Sequence, residues 1–240
     1  MKKSILRGSF VFSLLLGMVS LFAQRPVIYD SPAYEYNTAL ELFQKKQYGS
    51  AQEYFKYVYE NTTDRQYDMK SNSYFYRGVC ASLLDNEDAA FLLKEFIRKY
   101  PIHSFVPDAH FYIARFYFAK KQYKKALENF KEIDERNIKT EDLAEYNFKK
   151  GYAFLVAEDY DEAKYLFREA RKYDGQYQQK AVYYLAHIAY EEKQYEAALN
   201  DFLTLQNIKE YADVVPFYIT QIYFIQGEYE KIIASIPELK

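Results

Sequence analysis

Tryptophan is absent from the 240 residues, and cysteine occurs once, at Cys80. A single thiol forms no intrachain disulfide, so the chain has to be held by its apolar core, with Cys80 read as a small buried member of it. Glycine and proline are scarce, 7 and 6 residues. That is too few for the turns of a many-stranded fold and points to helices. Neither sign of charge dominates: 32 basic residues face 34 acidic ones, so no whole-molecule field draws the chain to nucleic acid or anionic lipid. The run Lys120, Lys121, Lys124 and Lys125 reads as a solvated helix face. The glycines stand too far apart for a phosphate-cradling loop, and His103, His110 and His187 lack metal-ligand spacing. The carboxylates between Glu158 and Glu162 read as a solvated turn. No catalytic grouping stands out, so neither an enzyme nor a cofactor nor a metal site is expected. What the chain has in excess is rings, 28 Tyr and 19 Phe, which must pack together or await a partner.

The N-terminus carries an address. Lys2, Lys3 and Arg7 precede an apolar run from Phe10 to Ala23, short of the ~20 residues that a membrane span needs. Residues 1–23 therefore read as a secretory signal. Cleavage would leave Gln24 first, although Leu21 is larger than the residue usually found two places before a cut. Residues 24–32 form a short extension, and 33–240 the folded array. A lipid anchor would need a cysteine at the cleavage point, and Cys80 lies far from it. The expectation is an exported chain with no acyl anchor and no integral membrane span after cleavage.

The array is visible as a repeat. "KKQYKKALENF" at 120–130, "AEDYDEAKYLF" at 157–167 and "EKQYEAALNDF" at 192–202 say nearly the same thing. Counted from the tyrosine, copies begin at Tyr48, Tyr123, Tyr160, Tyr195 and Tyr229. A further copy falls in "LLDNEDAAFLLKEF", with Ala89 or Ala90 as its alanine and the register open by one residue. Six copies at a period in the mid-thirties describe stacked helix-turn-helix units. Each second helix carries an alanine and, four residues on, an apolar partner on the same face: Ala51 and Phe55, Ala126 and Phe130, Ala163 and Phe167, Ala198 and Phe202. Twelve residues before the alanine stands another small residue, Ala39, Gly78, Ala114, Gly151 or Ala186, where two helix backbones can approach. Thr220 breaks the rule in the sixth copy. Pro101, Thr140 as an N-cap and Gly175 are expected to end or restart helices between units.

The spacing of Gly/Ala, Tyr, Ala and Phe resembles the tetratricopeptide repeat over about residues 33–236. That resemblance implies an all-α fold, a right-handed superhelical solenoid of about six repeats. "KYPIHSFVPDAHFYIARFYFAKKQYKKALENF" is also similar in style to repeats of bacterial envelope proteins, among them the outer-membrane assembly subunit and the Tol-Pal-associated type. The tryptophan often found in the family's first helix is missing here.

In such arrays the first helices line a concave face, and fifteen residues before each alanine this chain places Tyr36, Phe75, Phe111, Phe148, Tyr183 and Phe217. Four residues on come Leu40, Val79, Arg115, Tyr152, His187 and Gln221, and then Phe43, Ser82, Phe118, Leu155, Tyr190 and Phe224. The rings can cement neighbouring first helices or form an aromatic trough for a peptide, with Arg115, Tyr152 and His187 as polar readers. The expected function is a non-enzymatic protein-binding scaffold of the bacterial cell envelope, in the periplasm or at the outer-membrane periphery. The alternative is a glycan-binding repeat protein of the outer surface. The last helix presents Ile232, Ile233 and Ile236. With Ile233 turned toward where a seventh unit would stack, this edge is expected to continue into further repeats, to pair with a second copy or to meet a partner.

Overall fold

The computed structural model describes residues 31–235. The signal over 1–23, nearly all of the extension over 24–32, and Ile236 lie outside the described residues. Among the described residues every regular element is helical, and the helices fall into six pairs. The pairs are α1 (Pro32–Gln44) with α2 (Tyr48–Asn61), α3 (Tyr67–Leu83) with α4 (Ala89–Lys99), and α5 (Val106–Ala119) with α6 (Tyr123–Lys131). They continue as α7 (Leu143–Val156) with α8 (Tyr160–Ala170), α9 (Gln176–Glu191) with α10 (Tyr195–Leu205), and α11 (Val215–Gln226) with α12 (Tyr229–Ser235). The chain is an all-α helical-repeat solenoid. First helices touch along the array, α1 to α3, α3 to α5, α5 to α7 and α7 to α9, whereas no two second helices pack comparably. The first helices therefore line the inner side.

One backbone device closes every pair. The middle residue of each turn is left-handed: Lys46 at φ 59°, Asp85 at 58°, Lys121 at 57°, Glu158 at 62°, Lys193 at 62° and Gly227 at 75°. The next amide then donates to the carbonyl five residues back, as in Gln47 to Leu42 at 2.9 Å and Gln194 to Ala189 at 2.8 Å. Only the sixth turn uses glycine. At the other five a side chain is held where it costs about 1–2 kcal/mol, a cost offset by satisfying the last carbonyls of the first helix.

The same device settles the second unit. From the left-handed residue to the alanine the count is five in units one, three, four and five (Lys46 to Ala51, Lys121 to Ala126, Glu158 to Ala163, Lys193 to Ala198). In unit two, packing selects Ala89, four residues after Asp85, because its i+4 partner Leu93 is fully buried and presses on Gly78. One residue is missing between turn and alanine, and the amide of Ala89 bonds Asn86 in a tightened turn at 3.1 Å. The tyrosine is lost with it.

Small residues stand at the helix crossings, as their spacing requires. A Cβ on Gly78 would sit 2.8 Å from Leu93 Cδ2, and one on Gly151 would sit 3.1 Å from Leu166 Cβ and 3.2 Å from the Phe167 ring. Cys80 is fully buried, and burial pushes its thiol up to about 12, which makes it an inert core residue. Thr140 is not the helix cap expected from sequence. It opens a short 3-10 turn, and Asp142 stands at the N-cap of α7. The cause is the long connector after α6, which needs two 3-10 turns, Glu135–Asn137 and Thr140–Asp142, to reach the next unit. Gly175, at φ 126°, does restart the chain before α9.

Candidate functional site

The inner face is built from three rows on the first helices, and the structure treats them differently. In the first row Phe75, Phe111 and Phe148 are buried, Tyr36 and Tyr183 are half-buried, and only Phe217 is exposed, at 58%. The three buried rings offer no face to a ligand. Phe148, for instance, is enclosed by Phe167, Tyr177 and Tyr184 at centroid distances of 5.6–6.0 Å from their rings. Most of this row is inter-unit cement.

The reason lies one residue further on. Tyr36 is followed by Asn37, and the other five row residues by Tyr76, Tyr112, Lys149, Tyr184 and Tyr218, about 100° round the helix. Three of these tyrosines stack face-on upon the buried phenylalanine of the preceding second helix. The pairs are Tyr76 on Phe55 (5.2 Å, 15°), Tyr184 on Phe167 (5.5 Å, 17°) and Tyr218 on Phe202 (4.9 Å, 7°). The sequence carries a signal for this in the doublets Phe75-Tyr76, Phe111-Tyr112, Tyr183-Tyr184 and Phe217-Tyr218. In unit two the doublet's second ring is wedged between units and Phe75 beside it is buried, whereas Phe217 stays exposed beside Tyr218, and Phe148, which has no such neighbour, is covered by Tyr184 of the next unit.

The second row is the more open one. Arg115, Tyr152, His187 and Gln221 are half-buried on four successive first helices, Leu40 likewise on the first, while Val79 is buried. Tyr152 sits among Tyr123, Phe118 and Tyr184 at 5.1, 5.6 and 5.1 Å. His187 rests edge-on against Tyr218 at 5.7 Å, with its side chain 36% exposed. Gln221 accepts the Tyr190 hydroxyl through Oε1 at 2.6 Å. In the third row Phe43, Ser82, Phe118, Leu155 and Tyr190 are half-buried and Phe224 exposed.

Arg115 is engaged within the chain. Its Nε donates to Glu145 Oε1 at 2.8 Å, and its Nη2 donates to Glu145 Oε2 at 2.6 Å and to Asp142 Oδ1 at 2.8 Å. Its guanidinium lies 4.1 Å over the Phe111 ring. Lys149 donates to the same Glu145 at 2.6 Å. Burial pushes the Glu145 carboxyl up, but the two cations outweigh it and hold the group below its ordinary value. This cluster displaces the tyrosine device: Lys149 stands where Tyr112 and Tyr184 stand in the flanking units. Glu145, Asp142 and Lys149 were not singled out from sequence. At the far edge Ile233 is 61% exposed, as are Phe224 at 64% and Tyr229 at 56%, with Phe217 nearby on α11.

Residues 148–207, which run from α7 to just beyond α10, match the family model described as tetratricopeptide repeat. No curated protein matches the sequence. Among solved structures, the apo form of RapI is 21% identical with a TM-score of 0.52 over 82% of this chain, which spans 58% of that protein. A putative kinesin light chain of Podosopora anserina, with nearly identical TPR-like repeats, is 14% identical with a TM-score of 0.50, covering 80% of this chain and 96% of that one. At these identities the likeness shows the fold. Family match and fold together support tetratricopeptide-type repeats.

Proposed function

We propose that the chain is a non-enzymatic scaffold of the bacterial cell envelope, exported by its N-terminal signal, that binds a partner protein or peptide along its inner face. One observation carries the groove: Arg115, Tyr152, His187 and Gln221 lie in register on four consecutive first helices and remain half-open, while Phe111 and Phe148 beneath the first two are packed. An inner surface of this kind, ringed by aromatic edges and hydroxyls, suits an extended or helical segment better than a small molecule. A photo-crosslinking residue placed at His187 or Gln221 should trap a partner in cells, and one placed at the exposed Tyr165 on α8 should not. Adducts from Tyr165 alone would move the site to the outer face. Once the partner is in hand, His187→Ala with Tyr152→Ala should weaken binding by more than ~1 kcal/mol. Because Tyr152 sits in a ring cluster, circular dichroism must first show the double variant folded.

We assign the exposed apolar set on α11 and α12 to self-association. Ile233, Phe224 and Tyr229 form an exposed apolar set of the kind that marks interfaces. Light scattering on 24–240 should show a concentration-dependent dimer that Ile233→Glu abolishes. A stable monomer indifferent to that change refutes the assignment.

A further inference from the structure

The repeat provides an internal comparison at the centre of the groove. Six residues before the small crossing residue of units three and four stand two carboxylates, Asp108 before Ala114 and Glu145 before Gly151. They occupy the same place on successive first helices, and the chain treats them in opposite ways. Glu145 is clamped by two cations, Arg115 reaching from the preceding first helix and Lys149 from four residues along its own. The two residues that correspond to these around Asp108 are Val79 and Tyr112. Neither carries a charge.

Asp108 is half-buried, and among the described residues no side chain hydrogen-bonds or pairs with its carboxylate. Burial pushes this carboxyl above its ordinary value and Asp142 adds to the rise, while Lys139, the residue's own backbone amide and Arg115 oppose it. Tyr112 lies four residues along the same helix and so shares its face. Tyr76 lies within electrostatic reach across the unit boundary, its own hydroxyl pushed up chiefly by burial and further by Asp108. A partly desolvated carboxylate that no side chain pairs with is a good receptor for a cation, which would gain the charge and, with tyrosines close by, ring surface as well.

We infer that Asp108, with Tyr112 one turn along its helix and Tyr76 within electrostatic reach, is the seat for a lysine or arginine side chain of the segment bound in the groove. In unit four the chain fills the equivalent seat with its own cations, and in unit three the partner supplies one. The inference rests on the groove being the binding face and adds to it the charge of the ligand.

Random twelve-residue peptides displayed on phage and selected on the folded protein provide the test, with a parallel selection on Asp108→Asn. Asparagine keeps the shape at this helix start and removes the charge, so the variant should match the parent by circular dichroism. The parent pool should be enriched several-fold in Lys or Arg at one position, and the variant pool should not. A peptide from the parent pool should lose roughly tenfold in affinity for Asp108→Asn, the scale of one charge-assisted hydrogen bond. Replacing its basic residue by methionine should cost as much, and the two changes together no more than either alone. Peptides that bind without a basic preference, or that bind parent and Asp108→Asn equally, would overturn the cation seat and leave the groove standing. Failure to enrich any peptide on either protein would overturn the groove and the seat with it.

Discussion

Phe167→Ala should lower the free energy of unfolding by about 3–5 kcal/mol, the range for a large ring removed from a closed core. Phe167 is fully buried, stacks on Tyr184 at 5.5 Å and 17°, and meets Phe148 at 5.8 Å. It therefore joins units four and five as well as the two helices of its own unit. Denaturant unfolding followed by circular dichroism reads the loss, and one below ~1 kcal/mol would mean that this interface is not the one the chain uses. The geometry adds a second expectation. Alone, Gly151→Ala should destabilise, since its Cβ would fall 3.2 Å from the Phe167 ring. In the Phe167→Ala background that ring is gone, and the same methyl should fill part of the cavity. The two effects are thus expected to be coupled, with the double variant more stable than their sum. Since a solenoid contacts only its neighbours, faster hydrogen exchange should appear first in α7 to α10 and spare α1 to α3.

The units were legible because they rest on local rules repeated many times. A turn, a ring, an alanine and a phenylalanine at fixed spacing mark a helix pair whichever neighbours it has, and all six pairs lie where that pattern puts them. The second unit was ambiguous for a physical reason: a deletion between Asp85 and Ala89 removed the tyrosine that would have set the register. The inner face was harder to read. Adjacent first-helix residues point about 100° apart, and only the packed structure shows that Tyr76, Tyr184 and Tyr218 take the inter-unit stacks, while Phe75 and Phe148 are buried and Phe217 is not. Arg115 could not be paired in advance, because its acceptors lie 27 and 30 residues away, beyond a connector whose two 3-10 turns carry no periodic signal.

Glu145→Gln should cost about 2–3 kcal/mol at neutral pH. Removing one partner of a buried ion pair typically costs 3–5 kcal/mol, and the water that reaches these side chains lowers that figure. Glu145, Arg115 and Lys149 are only 17%, 20% and 17% exposed, so two cations would be left facing an amide, with Asp142 alone to hold Arg115. The exposed pair of Arg136 with Asp134 serves as control, and Asp134→Asn should leave stability nearly unchanged. The pH dependence separates charge from shape. Arg115 and Lys149 hold the folded Glu145 carboxyl below the 4.5 at which the unfolded chain titrates it, against the upward push of burial. A carboxyl depressed by folding stabilises the native state above that value, and the contribution is lost as pH falls through the folded one. The difference between parent and Glu145→Gln should therefore stay constant from pH 7 to about 5 and shrink progressively below it, as the parent's carboxyl takes up its proton. A difference that persists undiminished to pH 2 would show that the side chain acts there by its packing, and that the clamp on Glu145 is not electrostatic.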